Sequence, residues 1–291
     1  MMTKHLIRVF VFLFVFITLF SCSKYQKILK SDDLEHKYES ALKYYDDQEY
    51  FKAMTLFEEM IGLYRGLDKA EKIYYYYAYC NYYMEDYILA AYYFKNFLRT
   101  YPTSKHAEEC AFIAAYCYYL NSPEPSLDQS NTMKAIEELK IFTNRYAKSD
   151  KVEECNNLID MLRDKLEIKT FNNAKLYFNL SHYKAAVVSF NNLIIDYPDT
   201  RFKEEAYFLI LKSNYLLALN SVDSKKKERF ESTMAAYNAF EGFRPIAAKL
   251  GEDNTNIAAS KDLAKEAELI LKNSKEYLND INKNNKANMK I

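Results

Sequence analysis

The chain has 291 residues, with 40 basic against 40 acidic side chains and a formal net charge of zero, so nothing in its overall charge draws it to nucleic acid. A hydrophobic content of 49% at this length is enough for a substantial buried core. Only 4 Gly and 5 Pro leave few tight turns, which argues for helices and against a many-stranded β fold.

In chain order, the first element is an N-terminal leader. Lys4 and Arg8 flank the start of an apolar run, Val9–Phe20, interrupted only by Thr18. Its 12 residues are too few to span a bilayer but suit the core of a signal peptide. The Leu19-Phe20-Ser21-Cys22 ending resembles a bacterial lipobox, with Phe20 where a small residue is usual. On that resemblance 1–21 is a lipoprotein signal peptide, Cys22 is the acylated first residue of the mature chain, and 22–33 form a linker. An uncleaved anchor and an ordinary secretory signal are the alternatives. Ser23, and not Asp, follows Cys22, which points to the periplasmic side of the outer membrane.

Further on, the chain says nearly the same thing three times: RTYPTSKHAEEC at Arg99–Cys110, NRYAKSDKVEEC at Asn144–Cys155 and IDYPDTRFKEEA at Ile195–Ala206. Each copy has Tyr (Tyr101, Tyr146, Tyr197), a hydroxyl three residues later (Ser104, Ser149, Thr200), then an acidic pair and a small residue. This is the signature of a helix–turn–helix junction. Pro102 and Pro198 cannot continue the incoming helix, the hydroxyl can accept from free amides at the next helix start, and the acids suit the positive end of its dipole. Ahead of these junctions, one helical face recurs as Ala53-Phe57-Met60, Ala90-Phe94-Phe97, Ala135-Leu139-Phe142, Ala186-Phe190-Leu193 and, more weakly, Ala236-Phe240-Phe243. Ala41, Ala78 and Ala174 lie 12 positions before the Ala of their units and allow paired helices to approach closely. Insertions are needed in the third unit near 121–131 and in the fifth near 220–227. Residues 256–282 read as a C-terminal capping helix and 283–291 as a disordered Asn- and Lys-rich tail.

The spacing resembles the tetratricopeptide (TPR) repeat, over 34–250 and with no Trp at the position where that repeat often has one. The resemblance implies an all-α fold, a TPR-like α-solenoid of about five helix pairs closed by the C-terminal helix.

No catalytic constellation emerges. His5, His36, His106 and His182 are scattered, and no metalloprotease, nucleophile-elbow or phosphate-loop motif is present. No metal site or cofactor is expected. Cys80, Cys110, Cys117 and Cys155 read as small buried apolar residues, a disulfide being the alternative. The aromatic runs IYYYYAYC (Ile73–Cys80) and AAYCYYL (Ala114–Leu120) are more informative. TPR geometry turns the first helix of each unit towards a groove. Projected on this chain it puts Tyr38, Tyr45, Tyr75, Tyr79, Tyr82, Phe112, Tyr116 and Tyr119 there, and sends Tyr74 and Tyr77 inward. The competing reading is that these rings only fill space between helices.

Lipobox, TPR-like units and terminal helix together resemble the BamD family, lipoproteins of the outer-membrane β-barrel assembly machine. The resemblance implies a non-enzymatic, lipid-anchored scaffold of the periplasmic face. Its N-terminal groove would bind unfolded outer-membrane proteins, and its C-terminal half would dock on the periplasmic domains of a BamA-like barrel subunit. A generic TPR adaptor lipoprotein of the envelope is the main alternative. A SusD-type glycan-capture lipoprotein would be much longer, and a peptidoglycan-linked enzyme would need a catalytic cluster.

Overall fold

The computed structural model describes residues 24–249 and 254–288; the leader, Cys22 and the last three residues lie outside them. The described residues form helices and no strand. A short α1 (24–29) precedes α2 (Leu34–Asp46), α3 (Tyr50–Leu63), α4 (Ala70–Tyr83), α5 (Tyr87–Thr100), α6 (Ala107–Leu120) and α7 (Ser130–Arg145). Then come α8 (Val152–Asn179), α9 (Tyr183–Asp196), α10 (Lys203–Leu219), α11 (Asp223–Lys249) and α12 (Asn254–Asn288). The chain divides into two compact units, one ending at Arg163 and the other starting at Asp164, within α8. In the first, α2/α3, α4/α5 and α6/α7 are antiparallel pairs, each stacked on the next. In the second, the end of α8 packs on α9 through Phe171 against Phe190 and Phe178 against Tyr183, α9 packs on α10, α10 pairs with α11, and α12 packs on α10 and α11. The expected all-α, TPR-like helix pairs with a terminal helix are therefore what the chain forms.

The predicted faces are buried. Ala53, Phe57, Met60, Ala90, Phe94, Phe97, Ala186, Phe190 and Leu193 have no exposed surface, and neither do Ala41, Ala78 and Ala174 opposite them. Each large side chain so buried contributes roughly 1.5–3 kcal/mol. Cys80, Cys110, Cys117 and Cys155 are free thiols with no exposed surface, as the packing reading required.

The repeated junctions share one backbone geometry. In the second, Tyr101 N donates to Phe97 O, Ser104 N to Tyr101 O, Ala107 N to Ser104 O and Cys110 N to His106 O. The same four bonds recur from Tyr146 to Cys155 and from Tyr197 to Ala206. They recur also from Tyr64 to Ile73, a fourth copy hidden from sequence because Leu67 stands where the hydroxyl should be. The hydroxyls bond earlier than expected. Ser104 Oγ accepts from His106 N (3.0 Å), Ser149 Oγ from Lys151 N (3.1 Å) and Thr200 Oγ1 from Phe202 N (3.1 Å). They shape the turn two residues on and do not cap the first helical turn. Two of them also tie units together: Ser104 donates to Glu71 and Thr200 to Glu167, both at 2.6 Å.

Turns inside pairs are equally regular. Gln48, Glu85 and Ser181 have φ of 60°, 62° and 62°. Glu49 N reaches Tyr44 O while Gln48 N reaches Tyr45 O, and the turns at Glu85 and Ser181 repeat this Schellman pattern. A left-handed non-glycine residue costs roughly 1–2 kcal/mol, and glycine's extra freedom in the unfolded chain returns roughly 0.5–1. Gln48→Gly, Glu85→Gly and Ser181→Gly are therefore each expected to stabilise by about 0.5–1 kcal/mol, seen as a raised melting temperature. The same changes at an exposed mid-helix position should lower it.

The third-unit insertion is a loop, but the fifth-unit insertion is mostly helix: only 220–222 separate α10 from α11. The added turns of α11 carry Phe230, fully buried and stacked on Tyr277 of α12 at 4.9 Å. The C-terminal helix α12 runs to Asn288, six residues past the predicted end at 282. Lys283 pairs with Asp280 one turn earlier at 3.6 Å, and the polar side chains there suit a solvated helix.

Candidate functional site

The aromatic residues follow a rule that becomes visible once the first helices are superimposed on their central residues, Ala41, Ala78, Ala115, Ala174 and Leu211. Three positions before stand Tyr38, Tyr75, Phe112, Phe171 and Phe208; four positions after stand Tyr45, Tyr82, Tyr119, Phe178 and Tyr215. The first set is a packing ladder. Tyr38, Phe112, Phe171 and Phe208 are 3–8% exposed. Their rings meet aromatic residues of their own unit or junction: Tyr38 with Tyr64 at 6.5 Å, Phe112 with Phe142 at 5.7 Å, Phe171 with Phe190 at 5.9 Å, Phe208 with Phe240 at 6.0 Å. Tyr79 is buried too, edge-on to Phe94 at 4.9 Å. Tyr38, Tyr79 and Phe112 are thus packed between helices with little exposed surface. The other five, Tyr45, Tyr75, Tyr82, Tyr116 and Tyr119, are half-buried. The inward assignment of Tyr77 matches its 5% exposure, whereas Tyr74 is half-buried.

Two groups result. On α6, Phe112, Tyr116 and Tyr119 stack in sequence at 5.8 and 5.6 Å. On α4, Tyr75, Tyr79 and Tyr82 lie side by side, and Tyr79 and Tyr75 hydroxyls donate to Glu109 Oε1 of α6 at 2.6 and 3.0 Å. His106 Nδ1 lies 3.3 Å from the other oxygen of Glu109. Burial alone would raise the Glu109 carboxyl, but the bonds from Tyr79, Tyr75 and His106 together outweigh it and hold it below the usual value of 4.5. Burial first, and Glu109 second, raises the Tyr75 and Tyr79 phenols.

Sequence reasoning missed Tyr83 and Tyr50. Tyr83 is 46% exposed, stacks on Tyr50 at 4.6 Å, and touches the rings of Tyr45, Tyr79 and Tyr82. The available signal was Tyr at the first position of three second helices, Tyr50, Tyr87 and Tyr183.

The second unit carries a different chemistry on the equivalent positions. Where α4 and α6 have Tyr79 and Tyr116, α8 and α10 have Lys175 and Lys212. Lys175 pairs with Glu205 at 2.9 Å and lies over Phe171; Lys212 pairs with Glu266 at 2.7 Å and lies over Phe208. Glu109 and Glu205 hold the same junction position, so one carboxylate meets a phenol in the first unit and an ammonium in the second. Among the described residues no His, Cys and carboxylate group is arranged to hold a metal ion.

Stacked helix pairs with a common junction and an aromatic ladder define a TPR-like repeat protein. The chain belongs to the YfiO family of outer membrane lipoproteins, whose sequence model matches residues 30–229. It is similar to the putative outer membrane protein assembly factor BamD of Aquifex aeolicus, 25% identical over 213 residues, which are 72% of this chain and 69% of that protein. It is also 25% identical to the outer membrane protein assembly factor BamD of Caulobacter vibrioides over 124 residues, 43% of this chain and 41% of that one.

Proposed function

We propose that this lipoprotein is a non-catalytic scaffold in the assembly of outer-membrane β-barrel proteins, anchored through Cys22 and facing the periplasm. Its first unit holds unfolded barrel segments. Its second unit, with α12, docks on the periplasmic domains of a BamA-like barrel subunit. The observation that carries client binding is the row of partly exposed, uncharged rings on α4 and α6: Tyr82, Tyr83, Tyr116 and Tyr119. A barrel strand in transit exposes aromatic side chains together with unpaired backbone amides, and tyrosine offers a rigid apolar face with a polar tip for both. The roles of the relatives, named as assembly factors, support the same reading.

Copurification from mild detergent tests it: the barrel subunit should travel with the chain and be retained by the second unit, whereas a generic envelope adaptor would bring other partners. The anchor has its own test. Wild type should carry acyl chains by mass spectrometry and stay with membranes, because each buried methylene adds about 0.8 kcal/mol. Cys22→Ala should carry none and leave the membrane fraction. Identical fractionation, with no acyl mass on either, would remove Cys22 as the anchor.

A further inference from the structure

We propose that the first unit carries a second docking site, a cleft between α5 and α7 that receives an acidic–apolar helix of a partner protein. The cleft arises from a departure within the repeat. Four positions and one position before the central residue, α4 has Tyr74 and Tyr77, α10 has Tyr207 and Ile210, α2 has Lys37 and Ser40, and α8 has Thr170 and Asn173. The Tyr77 ring is 4.6 Å from Tyr93 of α5 and Tyr74 is 6.5 Å from Tyr101, so two rings close the space beside α5. On α6 the same two positions are Ala111 and Ala114. What remains is an open cleft of about 350 Å³ with the two alanines among its lining residues and Leu98, Ile141 and Phe142 beside them. Successive helical residues turn by about 100°, which puts Ala111 and Ala114 on a different side of α6 from Phe112, Tyr116 and Tyr119. The cleft is thus separate from the aromatic row.

Its charge is one-sided. The buried Glu138 carboxylate is already paired, with Lys95 at 2.5 Å and Lys134 at 3.2 Å. Arg99 and Arg145, exposed in the last turns of α5 and α7, line the same cleft and form no ion pair among the described residues. Ile141 beside them is 50% exposed. Two planar guanidinium forks above an apolar surface fit a carboxylate carried close to an aliphatic or aromatic side chain. The volume is near the low end of roughly 300–1,000 Å³ for small-ligand sites, room for one large side chain and short of a lipid acyl chain. A partner helix with Leu and Glu one turn apart supplies both groups.

The test is titration calorimetry on the full-length mature chain with an alanine-based helical peptide bearing Leu and Glu one turn apart, and with its twin bearing Lys for Glu. The acidic peptide should bind and the twin should not. Ala111→Tyr with Ala114→Tyr places in the cleft the rings that α4 carries; it should abolish binding, at some cost in melting temperature because Ala114 is 3% exposed. Arg99→Glu with Arg145→Glu, which also removes the Arg145 guanidinium from over the Tyr146 ring at 5.5 Å, should weaken binding by at least about tenfold with helical content unchanged. Equal binding of the two peptides, or undiminished binding by the arginine variant, overturns the proposal. So does arginine-dependent binding to phosphatidylglycerol vesicles without peptide binding, which would make the cleft a lipid-headgroup site. Self-association lost in the arginine variant would make it a contact between copies and overturn it equally. Should the tyrosine-filled variant fail to fold, the arginine variant decides alone.

Discussion

Above pH 10 the protein is expected to unfold with its most strongly buried phenols still protonated, so that these few ionise only as helix is lost. The phenols of Tyr45, Tyr75, Tyr77 and Tyr79 are pushed far above their ordinary 10.0, by burial first. Neighbours add to it: Tyr83 beside Tyr45, Glu109 beside Tyr75 and Tyr79, Tyr93 beside Tyr77. Burial also lifts the thiols from 9.0, Cys80 and Cys117 to about 12 and Cys155 to about 11. A raised native value means that the folded chain keeps protons the unfolded chain would lose. The stabilisation is therefore complete below the unfolded values of 9.0 and 10.0 and falls as pH climbs towards the native ones. Each tenfold difference in proton affinity between the folded and unfolded chain is about 1.4 kcal/mol, lost as the group ionises. The last tyrosinate absorbance to appear and the helical circular dichroism recorded on the same alkaline titration should move together. Ionisation of all 28 tyrosines while the helices stay intact would contradict the burial argument for Tyr45, Tyr75, Tyr77 and Tyr79. Glu109 acts on the acid side with the opposite sign: its lowered carboxyl contributes above 4.5, and that contribution is lost as pH falls through the native value. The effect is smaller because the side chain is 46% exposed.

Replacing tyrosines one at a time should separate packing from binding. Tyr79→Ala removes a ring that is 7% exposed and leaves a cavity against Phe94, so a loss of about 3–5 kcal/mol in stability is expected. Tyr79→Phe keeps the ring and removes only the 2.6 Å bond to Glu109, which should cost about 1–3 kcal/mol. Tyr83→Ala and Tyr119→Ala remove surface rings. They should melt within about 1 kcal/mol of wild type, yet each weaken binding of a barrel-derived peptide by about 1 kcal/mol or more. Affinity overall should be micromolar, about 8 kcal/mol, since ordering an extended client costs free energy. Salt should change it little, because the row is uncharged. Chemical melts and fluorescence titration of the same variants decide the matter. Unchanged peptide affinity in folded Tyr83→Ala and Tyr119→Ala proteins would leave these rings as helix packing.

The helix pairs were legible in the sequence because each depends on a local pattern. Ala90-Phe94-Phe97 and its relatives bury one face whatever they meet, and the Tyr–hydroxyl–acid junction writes its turn within a dozen residues. Tertiary structure alone decided the rest. In Ile73–Cys80 five of the eight residues are tyrosine and none is charged, so periodicity has no polar contrast to work with, and only the neighbours Phe94 and Glu109 make Tyr79 an interior residue. The junction at Tyr64 has no hydroxyl to announce it; Leu67 takes that place with the same backbone bonds. Residues after Asn220 carry loop-like polar side chains, yet they continue as helix because Phe230 finds Tyr277, 47 positions away, to stack upon. The cleft at Ala111 and Ala114 is likewise absent from any single helix: two alanines are unremarkable along α6, and they become a site only where α5 and α7 stand on either side with Arg99 and Arg145. Short-range spacing sets what one helix can do, and burial between helices, which no local pattern records, determines which of its side chains remain available for a partner.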